Sequence, residues 1–453
     1  MADTVAPTSK TSPQSSAGAV RLGLPPDFVW GVSTSAYQIE GAAAEDGRGP
    51  SIWDTRCRQK DKVPAGHTGD VACDHYHRYA EDIRLMQEIG VGAYRFSVAW
   101  PRVLPLGRGP VNQAGLDFYD RLVDGLLTAG IDPWLCLYHW DLPQALDDLG
   151  GWTNRDAAGW FADYAALVAR RYGDRVKHFA TFNEFSVFTL FGYAIDWAAP
   201  GVTNRSAHLK AIHHVNLAHG AGVDVVRALV PGARIGAIHN RQCVLPERDT
   251  PEHRAAAELL DEHWNRAFPD PQLLASYPPQ IARAIEPFVQ AGDMARICRP
   301  VDWFGLNHYG PIFARPDPQG TWNFGWGNAP EGSPTYGVGW PIFPDAFRDE
   351  LVGLTKRYGL PIYDTDRPND AGRVMDKHRI TYLHLYIQAM RQAMQSGADV
   401  RGYFVWSLLD NFEWGSGYGQ RFGLVHVDFA TQQRTVKDSA RWYAGLIKGE
   451  HDG

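Results

Sequence analysis

Two stretches decide the fold: Thr181-Phe182-Asn183-Glu184 and Leu360-Pro361-Ile362-Tyr363-Asp364-Thr365-Asp366. Each is a short apolar run that stops abruptly at a carboxylate. Strands of a parallel sheet are covered on both faces and therefore read as nearly continuous apolar runs. When such a sheet closes into a barrel, the polar residues at the C-terminal ends of its strands gather at one mouth.

Outward from these two runs the same unit recurs. Strands are expected at 28–32, 93–98, 133–139, 178–184, 235–239, 303–307, 361–363 and 402–406. Amphipathic helices alternate with them. One spans 76–89, with Tyr79, Ile83 and Met86 on one face and Gly90 as its stop. Others fall at 115–129, 206–229 and 437–447, and a further one carries Leu383, Ile387, Met390 and Met394 at helical spacing. This alternation predicts an α/β fold: a single-domain (β/α)8 TIM barrel with parallel strands and right-handed crossovers. An open doubly wound sheet would carry a glycine-rich phosphate loop after its first strand, and none is present. Residues 1–22, rich in Ala, Ser, Thr and Pro, are expected to be a disordered tail, and 23–453 the barrel domain. The stretch 316–344, rich in Gly, Pro and Trp, reads as a long loop over the mouth.

Composition narrows the function. The chain of 453 residues is 44% hydrophobic and 21% charged, enough for a large core in a soluble protein. Its net charge of −7 argues against a nucleic-acid partner or an anionic membrane. No apolar run reaches the length of a membrane span. Five scattered cysteines without Cys-x-x-Cys spacing suit reduced thiols in a cytoplasmic protein. His75, His77, His213 and His214 lack ligand spacing, so no metal and no other cofactor is expected. The oligomeric state is not legible.

The expected strand ends and the loops after them carry chemistry. They present Gln38, Arg95, His139-Trp140, Asn183-Glu184, Asn307 with Tyr309, Asp366, Trp406 and Glu413-Trp414. Hydrogen-bonding groups interleaved with indoles suit a pyranose, whose hydroxyls want polar partners and whose C–H faces want aromatic platforms. Two facing carboxyl groups at such a mouth are what cleavage of a glycosidic bond requires. The expected partner is a small-molecule glycoside.

Several blocks together resemble glycoside hydrolase family 1, the β-glucosidase family, over nearly the whole chain. They are Phe28-Val29-Trp30-Gly31 with Ser35-Ala36-Tyr37-Gln38-Ile39-Glu40-Gly41, Tyr94-Arg95-Phe96-Ser97 with Trp100-Pro101-Arg102, and Tyr138-His139-Trp140-Asp141-Leu142-Pro143. Thr181-Phe182-Asn183-Glu184 and Trp406-Ser407-Leu408-Leu409-Asp410-Asn411-Phe412-Glu413-Trp414 complete the set. The resemblance implies an exo-acting glycosidase with Glu184 as general acid/base and Asp366 in the nucleophile position. It implies that Gln38, His139, Asn183, Glu413 and Trp414 hold the nonreducing sugar above Trp406. Trp340 would be a platform on the leaving-group side, and Arg95 and Tyr309 would flank the nucleophile. A carboxylate at Glu413 would repel a phosphosugar, so a neutral hexose such as glucose is implied.

Three departures stand out. Thr365-Asp366-Arg367-Pro368 replaces the family's Thr-Glu-Asn-Gly, Phe185 stands for a proline, and His308 for a tyrosine. An aspartate withdraws the carboxylate by up to about 1.5 Å, one carbon–carbon bond. Retaining enzymes hold their carboxyls ~5–5.5 Å apart and inverting ones ~6.5–9.5 Å, so the shortening lands near the boundary. The residues leave open an altered, inverting or transglycosylating mechanism on an unusual glycoside, a sugar-binding pseudoenzyme, and Asp364 as the working carboxylate.

Overall fold

The computed structural model describes residues 17–336, 340–366 and 375–452, excluding the side chains of Tyr336, Thr365 and Asp366. Its centre is a closed barrel of parallel strands: β1 (Val29–Ser33), β2 (Ala93–Ser97), β3 (Asp132–Tyr138), β4 (His178–Asn183), β5 (Arg234–Asn240), β6 (Trp303–His308), β7 (Ile362–Asp366) and β8 (Val400–Trp406). Each strand pairs with its sequence neighbours, and β1 closes the ring against β8 through Trp30–Tyr403 and Val32–Val405. Helices such as His75–Ile89, Gln113–Thr128, Ala157–Tyr172 and Arg205–Leu229 form the outer layer. The expected fold class is what forms.

Strand alternation sorts the side chains into a barrel interior and a helix-facing layer. The lower interior is a plug of rings: Trp134 lies 5.3 Å from Trp303, 4.7 Å from Tyr363 and 5.1 Å from Phe404, centroid to centroid. Room for these rings comes from neighbours without side chains. A Cβ on Gly236 would sit 2.3 Å from the Trp303 ring, and one on Gly31 would sit 2.3 Å from Phe404. Tyr363 points into this plug, and Asp364 beside it is fully buried.

Several segments differ from the sequence reading. Helix Ala17–Arg21 lies inside the stretch expected to be a tail. It packs on the C-terminal helix Asp438–Lys448 so closely that a Cβ on Gly18 would meet the Leu446 carbonyl at 1.9 Å. Arg21 also donates to the carbonyl of Gly449 at 2.9 Å. The stretch 316–344 is partly sheet. Gly325–Trp326 pairs with Ile312–Arg315, which pairs with Val244–Pro246, and Thr335–Tyr336 pairs with Trp340–Pro341. Strand β5 runs one residue past its expected end, to Asn240. Buried His213 and His214 act as core groups, bonded to Asp293 and to the carbonyl of Trp152. Among the described residues no helix is long and apolar enough to cross a membrane.

Candidate active site

The strand ends build the site around Asn183, the last residue of β4. Its Oδ1 accepts from Arg95 Nη1 on β2 at 3.0 Å and from Asn307 Nδ2 on β6 at 3.2 Å. Its Nδ2 donates to His139 Nε2 at 3.1 Å, which fixes neutral His139 as the tautomer protonated on Nδ1. Its backbone carbonyl accepts from Trp140 Nε1 at 2.8 Å. One amide thus ties together the exits of β2, β3 and β6.

Glu184 follows, and its backbone explains how two consecutive residues enter one cavity. A regular strand would send them to opposite faces. Glu184 instead has φ 56°, in the left-handed region, and the β4–β5 register slips between Ala180 and Asn183. Trp140 and Trp414 also sit at positive φ, 77° and 50°. Such conformations cost on the order of 1–3 kcal/mol each and persist where the surroundings hold them.

Three donors converge on one oxygen of Glu184. Asn307 Nδ2 reaches Oε1 at 2.7 Å, the Tyr309 hydroxyl at 2.8 Å and Asn240 Nδ2 at 3.1 Å. Oε1 is therefore filled as an acceptor, leaving Oε2 as the oxygen able to carry a proton to a substrate. Asn240 is itself held: its Oδ1 accepts from Gln242 Nε2 at 2.7 Å and from Trp264 Nε1 at 3.1 Å. Gln242 Oε1 in turn accepts the backbone amides of Tyr309 and Gly310.

Across the mouth, Gln38 Nε2 donates to Glu413 Oε2 at 3.2 Å and to Asn411 Oδ1 at 3.0 Å. The Ser35 hydroxyl fixes the other end of that amide at 2.6 Å. Rings join the two sides. His139 stacks between Trp406 at 5.6 Å and Trp414 at 5.9 Å, and Trp140 packs on Trp414 at 4.7 Å. The Arg95 guanidinium lies 5.6 Å from the Trp406 ring, and Trp340 stacks on Tyr309 at 5.3 Å. Beneath Trp140, burial pushes the Asp141 carboxyl up to about 8, helped by the charge of Glu40 and opposed by Arg48.

All the expected site residues with described side chains therefore belong to one connected set. Asp366 is placed by its backbone: it ends β7 in register with His308 on β6 and Val405 on β8. Arg367 and Pro368 lie outside the described residues. The described hydroxyl bond of Tyr309 runs to Glu184. Phe185 is core, stacked on His239 at 4.9 Å and packed on Phe182 and Phe268. His308 is core too, its Nδ1 against the Arg241 carbonyl at 2.9 Å, and burial lowers it to about 4. Sequence reasoning missed Asn240, Gln242 and Trp264. The strand-end rule would have found Asn240 had β5 been drawn one residue longer.

Known proteins share this sequence pattern and this fold. Residues 21–451 match the family model for glycosyl hydrolase family 1. The chain is similar to a β-glucosidase of Agrobacterium sp., 43% identical over 443 residues that cover 94% of this chain and 95% of the relative. It resembles the crystal structure of a psychrophilic β-glucosidase of Micrococcus antarcticus, with a TM-score of 0.91 and 40% identity over 95% of this chain and 99% of that one. A β-glucosidase of Thermotoga maritima in complex with deoxynojirimycin superposes with a TM-score of 0.89 at 39% identity, covering 94% and 98% of the two chains.

Proposed function

The chain belongs to glycosyl hydrolase family 1, and we propose that within it this protein hydrolyses β-D-glucosides from their nonreducing end with retention of configuration. The observation that carries the reading is Glu184, an acid on a left-handed strand exit with one oxygen locked by three donors and the other left for chemistry. The polar ring of Gln38, His139, Asn183 and Glu413 supplies partners for sugar hydroxyls, and Trp406 an apolar floor. The names of the similar proteins support the same substrate class.

In the first step Glu184 transfers its Oε2 proton to the glycosidic oxygen as the bond to the anomeric carbon breaks. The Asp366 carboxylate closes on that carbon and forms a glycosyl ester, releasing the alcohol. Glu184, now ionised, removes a proton from water, whose oxygen attacks the anomeric carbon and breaks its bond to Asp366, releasing the sugar and leaving Glu184 protonated and Asp366 a carboxylate. The buried carboxylate of Glu413 favours a neutral hexose over a phosphorylated one. Free thiols at all five cysteines fit a cytoplasmic setting.

The test follows an aryl β-glucoside by proton NMR. Initial release of β-glucose is expected, and initial release of α-glucose would overturn retention. Asp366→Glu restores the methylene and should raise the rate, since a misplacement of ~1 Å can cost about a hundredfold. An unchanged or lower rate would count against Asp366 as the attacking group.

A further inference from the structure

A second cavity lies beyond the catalytic mouth. The five-residue π-helical turn Glu262–Arg266 faces two ways: Trp264 supports Asn240 in the active site, while His263 lines a separate pocket of about 310 Å³. That pocket is walled by Arg205 at the start of helix Arg205–Leu229, by Gln280 and Arg283 of helix Pro279–Ile285, and by Trp322 and Asn323.

Its groups are arranged before any ligand arrives. The Arg205 guanidinium rests on the Trp322 ring at 4.3 Å, and His263 packs on the same ring at 4.1 Å. Trp322 is pinned by its indole N–H, which donates to His208 Nδ1 at 3.0 Å, and His208 stacks on His263. Neither Arg205 nor Arg283 pairs with a carboxylate among the described residues. Glu262, the acid of the same turn, is occupied by the backbone amides of Gln280 and Ile281. His263 is 97% buried by exposure of only 3%, yet neither ring nitrogen has a hydrogen-bond partner among the described residues. Burial holds it well below its ordinary pKa, so it is neutral, with one nitrogen donating and one accepting.

We propose that this cavity binds a hexose carrying an oxyanion, a sugar phosphate or a sugar acid. Two guanidiniums line the cavity to meet the oxyanion, and stacking on Trp322 lowers the ordering cost for one of them. The carboxamides of Gln280 and Asn323 each offer a donor and an acceptor, which is what a row of hydroxyls satisfies. The volume lies at the small end of ligand pockets, suited to a monosaccharide. Two arginines without a carboxylate partner at one cavity favour an anion.

Isothermal calorimetry on the full chain tests this, with glucose 6-phosphate and glucuronate as probes and excess glucose filling the catalytic mouth. At least one probe should bind saturably at one site per chain. Arg205→Ala and Arg283→Ala should each weaken it about tenfold or more. Inorganic phosphate should bind more weakly than glucose 6-phosphate. Failure of both probes, binding insensitive to the arginine variants, abolition by glucose, or equal affinity for inorganic phosphate would each overturn the proposal. Thermal melts of the variants separate lost binding from lost folding.

Discussion

The two ends of the barrel are built from the same strands for opposite purposes. On β6, Trp303 fills the lower interior and Asn307 holds Glu184 at the top. On β2 the pair is Ala93 and Arg95, on β4 Ala180 and Asn183, on β8 Phe404 and Trp406. Below, interlocked rings and glycines exclude water and need only shape. Above, hydrogen-bonded polar groups fixed in direction are interleaved with indoles, and several residues hold left-handed backbone. The contrast teaches that stability and chemistry are divided along each strand within a few residues, so substitutions at the two ends should fail in different ways.

The largest expected effect is at the mouth. Glu184→Gln removes the proposed proton donor and should slow glucosides with poor leaving groups by about 10²–10⁴-fold while sparing activated aryl glucosides far more. Equal losses on both substrates would break the assignment. The floor should show the converse. Trp303→Ala should cost about 3–5 kcal/mol in urea unfolding, with kcat per folded molecule unchanged. A catalytic loss without destabilisation would erase the division.

Tyr309→Phe sharpens it at the mouth. Deleting one donor to the Glu184 carboxylate is expected to lose about 1.5–3 kcal/mol, roughly ten- to a hundredfold in kcat/KM, with little change in Tm. A prediction read as a pH slope concerns Asp141, the buried carboxyl that follows Trp140. Its folded carboxyl is neutral up to about 8, whereas the unfolded one ionises near its ordinary ~3.9. Between those values the native state holds a proton that the unfolded state has lost, so this group's contribution to stability falls as pH rises. Asp141→Asn should flatten the decline of Tm across that window, and an unaltered slope would show that Asp141 is ionised in the fold.

Much of this was legible from residues. Runs such as Trp303-Phe304-Gly305-Leu306-Asn307 announce a strand by apolar continuity and a site by the polar residue that stops them. The mouth set was readable because strand ends converge in a closed barrel whatever the loop details. What escaped has a physical cause. Asn240 follows His239 without any change of polarity to mark where β5 ends. The left-handed turn at Glu184 leaves no trace in periodicity. The helix Ala17–Arg21 is held by tertiary packing on the C-terminal helix, since its own sequence, Ala-Gly-Ala-Val-Arg, has little drive to fold. The short strands within 316–344 are likewise set by partners distant in sequence.

The central claim, that Glu184 and Asp366 work on one anomeric carbon, has a direct measurement. Glu184→Gln mixed with a dinitrophenyl β-glucoside can still lose its leaving group but lacks the base that frees the ester. Intact mass spectrometry should then show the protein heavier by one glucosyl residue, and peptide mapping should place it on Asp366. Release of dinitrophenol without an adduct, or an adduct on any other residue, would contradict the account.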